Sequence, residues 1–202
     1  MLLALIALLV LSLAAVALVR SVDTGTLIVG NIGFKQDATE ASAVAAESAM
    51  SWLGNPANAA LLDADQPGNG YYAASLDKLD PTGANTTAAH PLALVNWDGN
   101  CQGAQAGTYS VCNTLPYNNS APVNGNQVQW VITRLCATAG APSTTNLCSR
   151  PVAVATSTAL DRGDLGAGGR ISGTVSGPYY RIIIRSSGPR NTASFTETLV
   201  HF

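Results

Sequence analysis

An α+β fold, with one long N-terminal helix packed on an antiparallel β-sheet, is the class this sequence predicts, and three observations predict it. Residues 1–19 carry no ionisable side chain and a single hydroxyl, Ser12, so that stretch is apolar on every face. Residues 31–53 then set apolar and small side chains at three- and four-residue spacing, the period of a helix with one buried stripe. The second half changes to runs of β-branched and aromatic residues bounded by Gly, Pro and Asn, which is strand and turn chemistry.

Composition narrows the function classes. Only 11% of the 202 residues are charged, against about 25% in an ordinary soluble domain. Ten Lys and Arg scattered over the chain make no phosphate-binding stripe, so nucleic acid is not an expected partner. A net charge of −2 and a mean hydropathy of +0.20 argue against a charge-driven disordered chain. One membrane element plus one domain of about 150 residues fits the length.

Taken in order, the first element is a membrane-length helix. At about 1.5 Å per residue, residues 1–19 span about 28 Å, close to the ~30 Å hydrocarbon core of a bilayer. A secretory signal peptide would carry a cation before the apolar run, whereas Arg20 follows it; the small residues Ala14, Ala15, Val16 and Ala17 keep that alternative open. A buried core helix would show a polar stripe, and none is present. Beyond Arg20 the helix continues. Phe34, Ala38, Ala41, Ala45, Ser48 and Trp52 share one face, with Lys35, Asp37, Glu40, Glu47 and Ser51 largely elsewhere. Phe34, Ala41, Ala45 and Trp52 are the residues expected against the sheet. Gly54-Asn55-Pro56 supplies the stop. Gly25, Gly30 and Gly33, interleaved with Thr24, Thr26, Ile28 and Val29, predict a weak or locally melted section over 23–33 of a helix about 50 residues long. The organisation is then an apolar half-helix (1–20), an amphipathic half-helix (21–54) and a β-rich domain (55–202).

Strands are expected at 92–97, 128–135, 152–158, 179–187 and 192–200, the last two joined by the turn Gly188-Pro189-Arg190-Asn191. Tyr180, Ile182 and Ile184 alternate with Arg181, Ile183 and Arg185, which predicts one sheet face toward the helix and one toward solvent. The turn-rich segments between them read as exposed connections.

Cys101, Cys112, Cys136 and Cys148 follow an export-type N-terminus without a Cys-x-x-Cys pair, which suggests two disulfides rather than a metal site. Of three connectivities, Cys101 with Cys112 and Cys136 with Cys148 are nearest in sequence and close loops worth about 3 kcal/mol each in a chain-entropy argument. The domain is thus expected in an oxidising space. No catalytic residue and no cofactor are expected. His90 and His201 are read as surface histidines, with no nucleophile motif beside them. The run Gly163, Gly166, Gly168, Gly169 lacks the Gly-Lys-Ser/Thr ending of a phosphate loop. Asp63 and Asp65, with Gly68 and Gly70, set out two carboxylates and a glycine turn as a calcium loop would; the third acid and the closing Glu are missing, so a solvated turn is the preferred reading. Arg162-Gly163-Asp164 is an integrin-type tripeptide of a kind that recurs by chance.

Three blocks, in order, carry a family resemblance. They are Leu2-Leu3-Ala4-Leu5-Ile6-Ala7-Leu8-Leu9-Val10-Leu11 with Arg20-Ser21, Gly30-Asn31 and the Ala-rich stretch 41–50; Val128-Gln129-Trp130-Val131-Ile132-Thr133-Arg134-Leu135-Cys136 with Ala139-Gly140-Ala141-Pro142; and Tyr179-Tyr180-Arg181-Ile182-Ile183-Ile184-Arg185 with Gly188-Pro189-Arg190-Asn191-Thr192. Together they resemble the PilX-type minor pilins of type IV pili. Residues 55–126 carry no part of the resemblance. It implies a pilin-like fold, an assembly helix using Leu2, Leu5, Leu8, Leu9, Leu11 and Leu13, and N-terminal methylation at Met1 if that is the first processed residue. The implied partners are other minor pilins, the major pilin, a large tip adhesin, the inner-membrane assembly platform and, before assembly, the membrane itself. The implied location is the inner membrane with the C-terminal domain periplasmic, then the extracellular pilus.

Pilins of this kind start from a short basic leader and usually carry Glu as the fifth mature residue. This sequence shows no leader and has Leu5 there. That Glu is taken to neutralise the N-terminal amine of the neighbour nearer the tip, so its absence favours an initiating, tip-proximal subunit over a shaft subunit. Two competitors remain. The tip pseudopilin of type II secretion also lacks the Glu but carries a metal-bearing helical insertion, for which 55–126 offers no acid cluster. A membrane-anchored periplasmic enzyme or ligand-binding domain would need a titratable cleft.

Overall fold

The first element, α1 (Leu2–Leu53), is a single uninterrupted helix of 52 residues, about 78 Å long. It comes from a computed structural model that describes residues 1–99, 101, 104, 106–119, 121–151, 177–189 and 192–202. The strand expected at 152–158, the glycine run and Arg162-Gly163-Asp164 lie outside the described residues, as do Arg190 and Asn191 of the expected turn.

The melted section expected over 23–33 is absent. A Cβ on Gly25, Gly30 or Gly33 would meet nothing within 4 Å, so these glycines mark no bend or close approach. Thr24 and Thr26 turn their hydroxyls back onto the carbonyls of Arg20 and Asp23 at 2.8 Å each, which accommodates them within the helix. Glycine costs about 1 kcal/mol per site relative to alanine, a local weakening that does not end a helix propagating from both sides. At the C-terminus the Gly54 N–H donates to Met50 O at 2.9 Å, and Asn55 then caps a 3₁₀ segment, Pro56–Asp63, by accepting from the Ala57 N–H.

The chain then builds a sheet from β1 (Tyr71–Tyr72), β4 (Tyr117–Asn118), β5 (Gln127–Arg134), β6 (Tyr179–Gly188) and β7 (Thr192–His201), in the order β1-β5-β6-β7 with β4 also on β5. The β5-β6-β7 core is antiparallel, with Ile132 opposite Ile182 and Ile182 opposite Thr198. The sheet as a whole is mixed, because β1 joins β5 in parallel. A separate parallel pair, β2 (Leu79–Asp80) and β3 (Ala93–Leu94), is what the strand expected at 92–97 becomes.

The helix lies on the face made by Val128, Trp130, Ile132, Tyr180, Ile182 and Ile184. Its buried stripe is Ala38, Ala41, Ser42, Ala45, Ala49 and Leu53. Ala41 and Ala45 are therefore placed as expected, Phe34 and Trp52 are half-buried at the margin, and Ser48 is exposed. The stripe drifts because 3.6 residues per turn moves the contact line from Ala45 to Ala49 and Leu53. The opposite sheet face also departs from expectation. Ile183 and Val131 are buried with Leu79 and Val95, so the 72–97 segment covers a face that alternation alone assigns to solvent.

Two turn positions hold this covering layer. Gly70 has φ +65°, and a Cβ there would lie 2.5 Å from both Trp130 O and Tyr117 N, so only glycine lets this turn sit against β5. Asp80, 2% exposed, accepts from Asn85 N at 2.7 Å, Thr86 N at 3.0 Å and Thr82 Oγ1 at 2.9 Å. Burial pushes its pKa up, but these donors outweigh burial and hold the carboxyl below its ordinary value of 3.8.

Gly70→Ala is expected to destabilise the domain by about 3 kcal/mol or more in urea unfolding, with Gly68→Ala, which has open space around it, near neutral. Because the folded pKa of Asp80 is lowered, its contribution is complete above the unfolded value and is lost as pH falls below about 4. Thermal melts of Asp80→Asn should therefore show a lower but flatter stability than the parent across that acid limb. A parallel acid limb in the two proteins would remove Asp80 as its source.

Candidate assembly surface

The expected assembly residues all face outward. Leu2, Leu5, Leu8, Leu9, Leu11 and Leu13 are exposed, Leu8 at 68%, and no residue of the most apolar 18-residue window of α1 is buried. By length and composition the helix can cross a membrane. Its only charges before Lys35 are Arg20 and Asp23, one turn apart. Beyond them Leu27, Ile28, Val29 and Ile32 are exposed again, so apolar surface extends about 45 Å from Leu2.

Where this projecting half meets the domain, the join is polar and specific. Asn126, 1% exposed, donates through Nδ2 to Asp37 Oδ2 at 2.8 Å, fixing the helix to the β5 end of the sheet. At its C-terminal end Trp52, Tyr71, Tyr180 and Phe202 form a chain of tilted ring contacts with centroids 5.5, 6.5 and 6.2 Å apart. Tyr71 donates its hydroxyl to Leu62 O at 2.6 Å, and burial pushes its pKa well up, as it does that of Tyr180. Both phenols therefore stay neutral in this core, and that of Tyr71 is a donor.

Arg134 organises the opposite corner. It is 1% exposed and donates through Nε to Ala73 O at 3.0 Å, through Nη1 to Asp63 Oδ1 at 2.9 Å and through Nη2 to Gly140 O. One guanidinium thus ties β5 to the end of the 3₁₀ segment and to the loop closed by Cys136–Cys148. Asp65 Oδ1 accepts from Ala73 N at 2.7 Å. The two carboxylates considered for calcium are thereby engaged by a cation and a backbone amide, and among the described residues no group of three His, Cys, Asp or Glu comes together. The second disulfide joins Cys101 to Cys112, so both pairings match the expectation from sequence spacing. His90 sits in an exposed turn with Thr87, and His201 packs edge-on to Tyr179.

Arg134 and Asp80 are not among the residues singled out from the sequence. Arg134 carries a signal in hindsight, as a lone cation closing an apolar strand run; Asp80 sits just before Pro81-Thr82-Gly83, the usual place for a turn-capping carboxylate. Comparison of the chain with protein-family models, with curated proteins and with solved structures finds no match.

Arg134→Met is expected to cost about 3 kcal/mol in chemical unfolding, because Ala73 O and Gly140 O lose a buried donor. Asp63→Asn should cost about 1 kcal/mol, since that side chain is 48% exposed and its pairing is screened. Equal losses in the two variants would show that the pair, not the backbone contacts, holds this corner.

Proposed function

We propose that this protein is a minor pilin that helps prime assembly of a type IV pilus, within a tip-located complex that presents a large adhesin. The observation that carries the proposal is a continuous helix with two environments: its first half projects with every leucine exposed, and its second half is locked onto a sheet. The two later sequence blocks that resemble PilX-type pilins coincide with β5 and β6, the strands under that helix. The absence of a match to any family model leaves the resemblance resting on those blocks.

The mechanism needs no catalytic side chain. Before assembly the apolar half lies in the inner membrane and the disulfide-bonded domain stands in the periplasm. Entry into a filament exchanges lipid for neighbouring helices, a small free-energy change because both surroundings are apolar. Residues 1–22 contain no acid, so this stretch carries no carboxylate into an apolar helix bundle. The partners in this reading are the adhesin, sibling minor pilins, the major pilin and the assembly platform.

Leu8→Lys places a charge costing about 3 kcal/mol in the centre of the apolar half. The expected result is loss of the protein from sheared filaments and fewer pili, while both disulfides and the thermal melt of the domain stay unchanged. Wild-type piliation with Leu8→Lys incorporated, or immunogold label spaced regularly along the shaft, would overturn the proposal.

A further inference from the structure

A groove of about 620 Å³ opens between the Pro67–Asn69 turn, residues 96–99 and residues 115–118, on the side of the domain built by the segment that carries no family resemblance. Its walls include Pro67, Asn96, Asp98, Leu115, Tyr117 and Asn118, with Trp97 between two of them. We propose that this groove is a binding site for a neutral oligosaccharide.

The walls are held from behind rather than free to collapse. Gln129 of β5, 7% exposed, donates through Nε2 to Trp97 O at 2.8 Å and to Asn118 Oδ1, so one side chain sets the spacing of two walls. The Tyr72 hydroxyl clamps the Leu115 backbone, donating to its O at 3.2 Å and accepting from its N–H at 2.5 Å. Asn96 is fixed by its own N–H to Thr114 O at 2.8 Å and by Oδ1, which accepts from Cys101 N at 3.0 Å beside the Cys101–Cys112 disulfide. A site set in advance keeps the ordering cost of binding low.

The unspent ends of these side chains define the ligand. Asn96 and Asn118 each have the carbonyl oxygen used and, among the described residues, the Nδ2 amide unused. Asp98 gives Oδ1 to Arg185 Nη1 at 2.7 Å and keeps Oδ2, with its charge offset by that guanidinium. Among the described residues the lining thus offers two amide donors and one compensated acceptor, contains no Lys or Arg, and is otherwise Pro67, Leu115, Pro116, two glycines and ring surface. A phosphate or sulfate would find no cation there. A molecule whose hydroxyls both donate and accept, and whose C–H faces are apolar, matches the set, and the volume is that of an ordinary ligand site. The donors are side-chain amides from separate segments, Asn96 in a turn and Asn118 on the two-residue strand β4, an edge too short to pair with an extended peptide.

The test uses the full chain in lauryldimethylamine oxide micelles, whose headgroup carries no sugar. Immobilised chitotetraose, maltotetraose and lacto-N-tetraose serve as neutral probes and 3′-sialyllactose as the anionic one. At least one neutral probe is expected to bind with a Kd of about 1 mM or tighter. Asn118→Asp and Asn96→Asp, which keep the Oδ1 acceptors for Gln129 and Cys101 but lose the Nδ2 donors, should each weaken it about tenfold with both disulfides as in the parent. No neutral probe bound by the folded parent, preference for the sialylated probe, or unchanged affinity in both variants would overturn the assignment. Asn118→Asp is expected to enter filaments normally, so this proposal and the pilin proposal fail on different measurements.

Discussion

The contact between the alanine stripe of α1 and the β5-β6 face decides where everything else in the molecule goes. Ala38, Ala41, Ala45 and Ala49 present almost no side chain, so the helix backbone settles close to Val128, Ile132, Ile182 and Ile184, all of them fully buried. The bulk in this interface comes from the sheet side, and the rings of Trp130, Tyr71 and Tyr180 fill it toward the helix C-terminus. Ser42 is tolerated within the stripe because its hydroxyl donates to Ala38 O at 2.9 Å, leaving no polar group unpaired. A larger residue at Ala41 or Ala45 would have to lift a rigid rod off the whole ladder, because a helix cannot bend away locally without losing hydrogen bonds.

With one face closed by the helix, the central strands still expose a second apolar row, and the 72–97 segment exists to cover it. The run Ile182-Ile183-Ile184 is a sign of this requirement, since a strand buried on both faces reads as continuous hydrophobics rather than as an alternation. The cover is thin: two-residue strands, a capped aspartate and a disulfide replace regular structure. Its fixed points are Gln129 of the sheet donating to Trp97 O and, within the cover, Trp97 Nε1 donating to Pro81 O at 2.7 Å, with Gly70 allowing the closest approach. A layer made this way gains surface variety at little cost in core, and the groove between its turns follows from that construction.

The legible parts of this fold are those decided by neighbours in sequence. The long helix, its stop at Gly54, the three long strands and both disulfides depend on period, turn residues or short separations, and each was readable. The weak section over 23–33 was misread because glycine and threonine propensities were taken without the back-bonded hydroxyls of Thr24 and Thr26 that let the helix continue. The solvent face of β6 was misread because the residues that bury Ile183 come from Leu79 and Val95, about a hundred positions earlier, in a segment with no pattern of its own. Parallel pairing of Tyr71–Tyr72 with β5 is equally invisible, since two residues set no period. The exposure of the leucine run could be read in advance, because it needs no partner to be inferred; of the groove nothing could, because its walls meet only in three dimensions.

The length of the apolar surface separates an anchor from an assembly element. A helix that only anchored a domain would end its apolar surface near Arg20, where about 28 Å already matches the bilayer. Here the pair Arg20 and Asp23 sits at that level and the surface resumes with Leu27, Ile28, Val29 and Ile32, all more than half exposed. Left in water, four such side chains forgo on the order of 1.5–3 kcal/mol each. Tilt does little for them, because lowering Ile32 toward the membrane drags Arg20 and Asp23 deeper into it. The proposed assembly would remove the conflict: neighbouring helices would bury the apolar side chains on both sides of the charged turn and let Arg20 and Asp23 pair with each other or with their counterparts. In the proposed filament the same segment that costs a lone anchor free energy would stabilise the assembly, and the domain's tight seat on the second half of α1 would carry that association to the loops.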